Sequence, residues 1–142
     1  MKPSLRHSRR QVTISSDSGL DEATAQSVLA RLEKDNGLPA ETGKRCLREL
    51  LRFLDLAAAM RANGDFRPLV PSANVDAAWH ALILHTRPYM ELCERRYGEY
   101  LHHDVTPPAD RVAVRELFDY LRTRVLMEKR YGTLDEDLWP LP

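Results

Sequence analysis

What this chain lacks narrows its function first. Only two cysteines, Cys46 and Cys93, occur in 142 residues, too few for a disulfide framework in a domain of this size. No apolar run approaches the roughly 18 residues that a membrane helix needs. The basic N-terminus has no hydrophobic core behind it, as a secretory signal would. Neither sign of charge is in excess, because Lys plus Arg and Asp plus Glu each total 21. A balanced chain lacks the basic surplus on which sequence-independent nucleic-acid affinity rests. Neither nucleic acid nor membrane is therefore the expected partner. The one basic cluster (Lys2, Arg6, His7, Arg9, Arg10) sits at the extreme N-terminus and reads as a solvated tail. A Gly-rich phosphate loop and a GxSxG nucleophile elbow are missing too. The expectation is a reduced, cytoplasmic protein.

What is present is ordinary globular material, 43% hydrophobic and 30% charged. Residues 1–16 show no sustained period and read as a disordered tail; residues 17–142 read as one helical domain. Leu20, Ala25, Val28, Leu29 and Leu32 form a helical stripe that Asn36-Gly37 stops. Pro39 suits the first turn of a second, long helix. There Leu47, Leu50, Leu51, Leu54 and Ala58 recur at three- and four-residue intervals, with Lys44, Arg45, Arg48, Glu49 and Arg52 on the other face. Asn63-Gly64 ends it, and the two prolines of residues 64–71 prevent its continuing.

Ser72 is a good N-cap for a third helix running to about His85, with Asp76 near the first turn, where negative charge favours the helix dipole. Thr86 can cap a fourth helix with Pro88 early in it, and Gly98 stops it. Tyr89, Cys93 and Tyr97 share one face of that helix. Residues 99–108 read as a connection rich in His and Pro. A last helix from about Ala109 to Arg130 puts Val114, Leu117, Phe118, Leu121 and Val125 on one stripe. Gly132 ends it, and Leu138 and Trp139 are expected to tuck an extended tail onto the core. The fold class is thus all-α, a compact bundle of about five helices with short Gly/Pro-rich loops and an extended C-terminal tail.

Residues 75–104 concentrate the chemistry. They hold four of the five histidines, one of the two cysteines, one of the two tryptophans and three of the five tyrosines. Asp76 and His80 are four apart on one helix face. A carboxylate on one imidazole nitrogen fixes the tautomer and frees the other nitrogen for a metal or a proton. His85 lies about 140° further round the helix than His80, so the two are not adjacent ligands. A site built on His80 needs ligands from elsewhere, and Cys93 with His102 or His103 are the candidates. A Cys, His and His set is chemically adequate for zinc or another borderline metal. The spacing, however, matches no zinc finger and CxxC is absent. The structural alternative makes Asp76–His80 an internal hydrogen bond, Cys93 a small buried hydrophobe, His85 a dipole-favourable residue at a helix C-terminus and the tyrosines core aromatics. A Cys93–His–Asp76 nucleophilic arrangement exists on residue types alone, and nothing in the sequence activates the thiol.

This motif resembles the glycine-rich-domain-containing-protein-like family, a domain without an assigned activity. The likeness is carried by Val75-Asp76, Trp79-His80, Ile83-Leu84-His85-Thr86, Tyr89, Cys93, Gly98 and His102-His103-Asp104, with Pro71-Ser72 before and Leu138-Trp139-Pro140 near the end. It is specific across residues 71–104 and looser elsewhere. One position departs: the family's histidine two after the Trp-His pair is Leu82 here. If that position supplies a ligand in relatives, this chain lacks the site or completes it differently, for example with His85. The chain looks like a short stand-alone member, and the resemblance implies fold and motif rather than an activity.

Three readings follow. In the favoured one, a small helical binding module organises a pocket or partner surface with Asp76, Trp79, His80, His85, Thr86, Tyr89 and His102, for an unidentified protein or small molecule and without catalysis. In the second, a hydrolytic enzyme holds Zn or Fe with His80, Cys93 and His103. In the third, the motif is a structural knot.

Overall fold

A computed structural model describes residues 18–104 and 113–142. Five helices follow one another: α1 (Glu22–Asn36), α2 (Ala40–Ala62), α3 (Ala73–Ile83), α4 (Thr86–Tyr97) and α5 (Ala113–Tyr131). No strand occurs among the described residues, and the all-α bundle expected from the sequence is what forms. The expected disorder of residues 1–16 lies outside the described residues, as do the end of the 99–108 connection and the start of the last helix near Ala109.

Local interactions set the ends of α1, α3 and α4. Asp21 caps α1, its Oδ1 accepting from the Thr24 amide at 2.7 Å and its Oδ2 from the Thr24 hydroxyl at 2.9 Å. Those bonds favour the ionised carboxyl and hold its pKa below the ordinary value. Gly37, at φ 65°, stops the helix in a left-handed conformation that only glycine adopts without cost. Leu20, counted on the α1 stripe from the sequence, lies just before the helix instead. Ser72 caps α3 through its hydroxyl, which accepts from the Val75 amide. The N-cap position of α4 is taken by His85, one residue earlier than expected, and α3 ends at Ile83.

The long α2 is the axis of the bundle and packs against α1, α3 and α5. Its stripe of Cys46, Leu47, Leu50, Leu51, Phe53 and Leu54 is buried. Gly43 permits close approach of α1, since a Cβ there would stand 3.1 Å from Leu29 Cδ2. Cys46 and Cys93 are free thiols, both in the core.

Two sequence expectations are corrected. Glu49, assigned to the solvated face of α2, is only 4% exposed. The tail explains it: Trp139 is fully buried as expected, and its indole N–H donates to Glu49 Oε2 at 3.2 Å. Arg52 Nη1 donates to the other oxygen at the same distance, so the buried carboxylate is charge-paired. The apolar stripe of α5 also faces the wrong way. Val114, Leu117, Phe118 and Val125 are exposed, Phe118 by 68%. The inward face is instead Tyr120, Thr123, Arg124, Met127 and Tyr131, with the same helical period.

That inward face is polar because it must satisfy backbone and tail groups. Thr123 Oγ1 accepts from the Val70 amide at 2.9 Å and donates to the Asp119 carbonyl at 2.7 Å. Tyr131 donates to the Arg52 carbonyl at 2.9 Å. Tyr120 donates to the Pro140 carbonyl at 2.7 Å, and Arg124 pairs with Glu136 at 2.9 Å. A purely hydrocarbon stripe would leave these groups without partners.

Candidate functional site

The site begins with a relay of hydrogen bonds in the core. Trp79, on the buried face of α3, donates from Nε1 to the Tyr89 hydroxyl of α4 at 3.0 Å. Tyr89 in turn donates to the Leu101 carbonyl at 2.5 Å. Burial pushes the Tyr89 hydroxyl far above its ordinary pKa, so it remains a donor. This relay fixes the chain just before the paired histidines. Arg61, near the end of α2, grips the same connection by a fork to Glu99, with Nε to Oε1 at 2.6 Å.

Held in this way, His103 lies flat on Trp79, ring centroids 4.1 Å apart and planes 3° apart. The indole is wedged from another direction by Phe53, edge-on at 5.5 Å. His103 Nε2 comes to 2.8 Å from Asp76 Oδ1, and His80 Nε2 to 3.8 Å from Asp76 Oδ2. The two imidazoles are 4.6 Å apart and tilted by 30°. One donor atom from each of Asp76, His80 and His103 falls within 4.8 Å of the others. Asp76 and His80 are on successive turns of α3, with Asp76 at the helix N-terminus, where its charge is favoured.

These three line one side of an open cleft of about 650 Å³. Its other walls are Phe53, Ala57, Met60 and Arg61 of α2, the segment 65–71, and Glu116 of α5. The far wall is tied down. Asp65 accepts from the Arg67 guanidinium at 2.7 Å, which, with the Arg67 amide, holds its carboxyl at about 2. Arg122 and Thr123 of α5 bond the Pro68 carbonyl and Val70 amide. Phe66 stays 65% exposed, its ring under the Arg61 guanidinium at 5.0 Å.

The remaining motif residues divide. His102 is exposed, lines the cleft and packs edge-on to Tyr100 at 4.7 Å. Cys93 is fully buried in the core and is not among the clustered donors, whose third member is Asp76. His85 stands apart from the cluster. Its Nδ1 lies 2.9 Å from the Ala81 carbonyl and its Nε2 2.8 Å from the Ser27 hydroxyl. A carbonyl only accepts, so Nδ1 carries a proton; His85 thereby staples the last turn of α3 to α1. Thr86 is the exposed first residue of α4. The motif thus serves two ends, one in the cleft and one between helices.

Sequence reasoning did not find Met60, Arg61, Asp65, Phe66, Arg67 or Glu116. In the sequence, residues 64–71 signal only a helix break. The legible hint was an aromatic, Phe66, between an acid and a base in a Pro-bounded loop.

The fold and cleft define an all-α domain in which α3 and the connection after α4 present a histidine–carboxylate cluster. The chain belongs to the UCP032817-like family, whose profile matches residues 21–116. That span takes in α1 to α4, both ends of the motif, and the first turn of α5. No curated protein and no solved structure matches the chain.

Proposed function

We propose that the protein is a small helical binding module, whose residues 75–104 build one wall of a small-molecule cleft. The observation that supports this most is the Trp79–His103 stack, which brings the two ends of the motif into one concave surface. The cleft volume falls in the range of about 300–1,000 Å³ usual for small-molecule sites. Its lining mixes apolar groups (Phe53, Met60, Phe66, Leu69) with a few convergent polar ones (Asp76, His80, His102), as such sites require. The family match over residues 21–116 takes in both ends of the motif, in keeping with one domain unit that carries the cleft wall. Two free, buried thiols are in keeping with a reducing cytoplasm.

The test uses metal-free protein and a fragment library of aromatic and carboxylic compounds, followed by amide chemical shifts. Binding fragments should shift Met60, Phe66 and Trp79 together, and Phe66→Ala with His80→Ala should weaken them about tenfold or more. Fragments that ignore both substitutions, or shifts confined to other faces, overturn the reading.

A further inference from the structure

We propose that Asp76, His80 and His103 together bind one divalent first-row transition metal, zinc or iron(II), at the side of the cleft. The donor set is two imidazoles and one carboxylate, the combination that suits borderline divalent metals. The three residues come from two elements, α3 and the connection after α4. Asp76 and His80 are one turn apart on α3, and His103 is set by the Tyr89–Leu101 bond and the Trp79 face. Two donors each about 2.1 Å from one metal sit roughly 3.0–3.4 Å apart. The observed 2.8 and 3.8 Å separations lie on either side of that spacing. His80 is half exposed, so its ring can swing to close the set.

A second observation points the same way. His103 Nε2 is buried and makes no hydrogen bond among the described residues, although Asp76 Oδ1 is 2.8 Å away. The contact is close but does not have hydrogen-bond geometry. Positive charge between ring and carboxylate, either a proton on the imidazole or a bound cation, is what favours so close an approach. A bound cation supplies that charge and gives the orphaned nitrogen its partner. Three protein ligands leave at least one coordination position open, the arrangement of sites that exchange ligands rather than of closed structural sites. The cluster lines the cleft, so that position is available to an oxygen donor on a cleft ligand. Cys93 has no part in the site.

The experiment titrates chelator-stripped, dialysed protein with zinc chloride by calorimetry and with cobalt(II) chloride by visible absorption. One-to-one binding with Kd of about 1 μM or tighter is expected. His80→Ala, on an exposed side chain, and His103→Phe, which keeps the stack on Trp79, should each weaken it about 100-fold or more. The comparison is loss of an outer-shell partner, which alone costs about 10–100-fold. Cys93→Ala should leave it unchanged. Circular dichroism confirms that the variants are folded. No stoichiometric uptake, or uptake that survives both histidine substitutions, overturns the site. Either failure leaves the cleft reading standing, because fragment binding is measured without metal.

Discussion

Tyr89 joins two residues that the sequence separates widely, accepting from Trp79 and donating to the carbonyl of Leu101. The hydroxyl sits where α3, α4 and the connection after α4 converge, and it is fully buried. Its two bonds are the means by which a core aromatic sets the position of His103, two residues past Leu101. Packing in the bundle and geometry in the cleft are therefore coupled through one oxygen atom.

Tyr89→Phe removes that oxygen and little else. It leaves a buried indole N–H and a buried carbonyl unpaired, each costing about 1–3 kcal/mol. A combined loss of about 2–6 kcal/mol is expected in urea denaturation, with the His103 ring resonances shifted while the α1–α2 core is unchanged. A variant within about 0.5 kcal/mol of the parent, with His103 unmoved, would show that stacking alone places the imidazole.

Most of the fold was legible because its helices carry period and punctuation together. In α2 the apolar stripe and the burial coincide, and Pro39, Asn63 and Gly64 mark its ends. Asp76 and His80 were readable as a pair because four-residue spacing on a helix is a geometric fact. The third member, His103, was among the sequence candidates, but the sequence alone did not separate it from His102 or Cys93. His102 and His103 are neighbours in an irregular segment, and which one faces inward depends on the Leu101 carbonyl being captured from α4. Cys93 looked the equal of either on residue type, and only packing separates a core thiol from a ligand. The α5 face failed for a different reason. Hydrophobic periodicity finds the most apolar stripe, whereas this helix turns inward the stripe that meets hydrogen-bonding demands of the loop and tail.

The inverted α5 face yields a pair of opposite expectations. Phe118 and Met127 are both large and apolar, yet Phe118 is 68% exposed and Met127 is 0% exposed. Phe118→Ser should change stability by about 0.5 kcal/mol or less, as surface substitutions do. Met127→Ala should cost about 2–5 kcal/mol by leaving a cavity beside α2. Urea unfolding of the two variants measures both. A costly Phe118→Ser with a harmless Met127→Ala would mean that α5 is rotated as the sequence stripe alone suggests.

Acid titration probes the far wall of the cleft. Arg67 side-chain hydrogen bonds hold Asp65 at about 2, below its ordinary 3.8. A carboxyl depressed on folding stabilises the folded state when ionised in both states, and so fully above about 3.8. As pH falls from there towards 2 the unfolded chain takes up the proton first, and the stabilisation drains away. Asp65→Asn has no such proton to bind. The stability difference between parent and variant should therefore be flat from neutral pH to about 5, then shrink steadily towards pH 2. The pair is solvent-exposed, so added salt should reduce the difference at every pH. Urea midpoints across the acid range, at low and high salt, measure this directly. A difference that stays constant down to pH 2 would mean that Arg67 does not hold the Asp65 carboxylate, and that the loop bearing Phe66 is set by α5 alone.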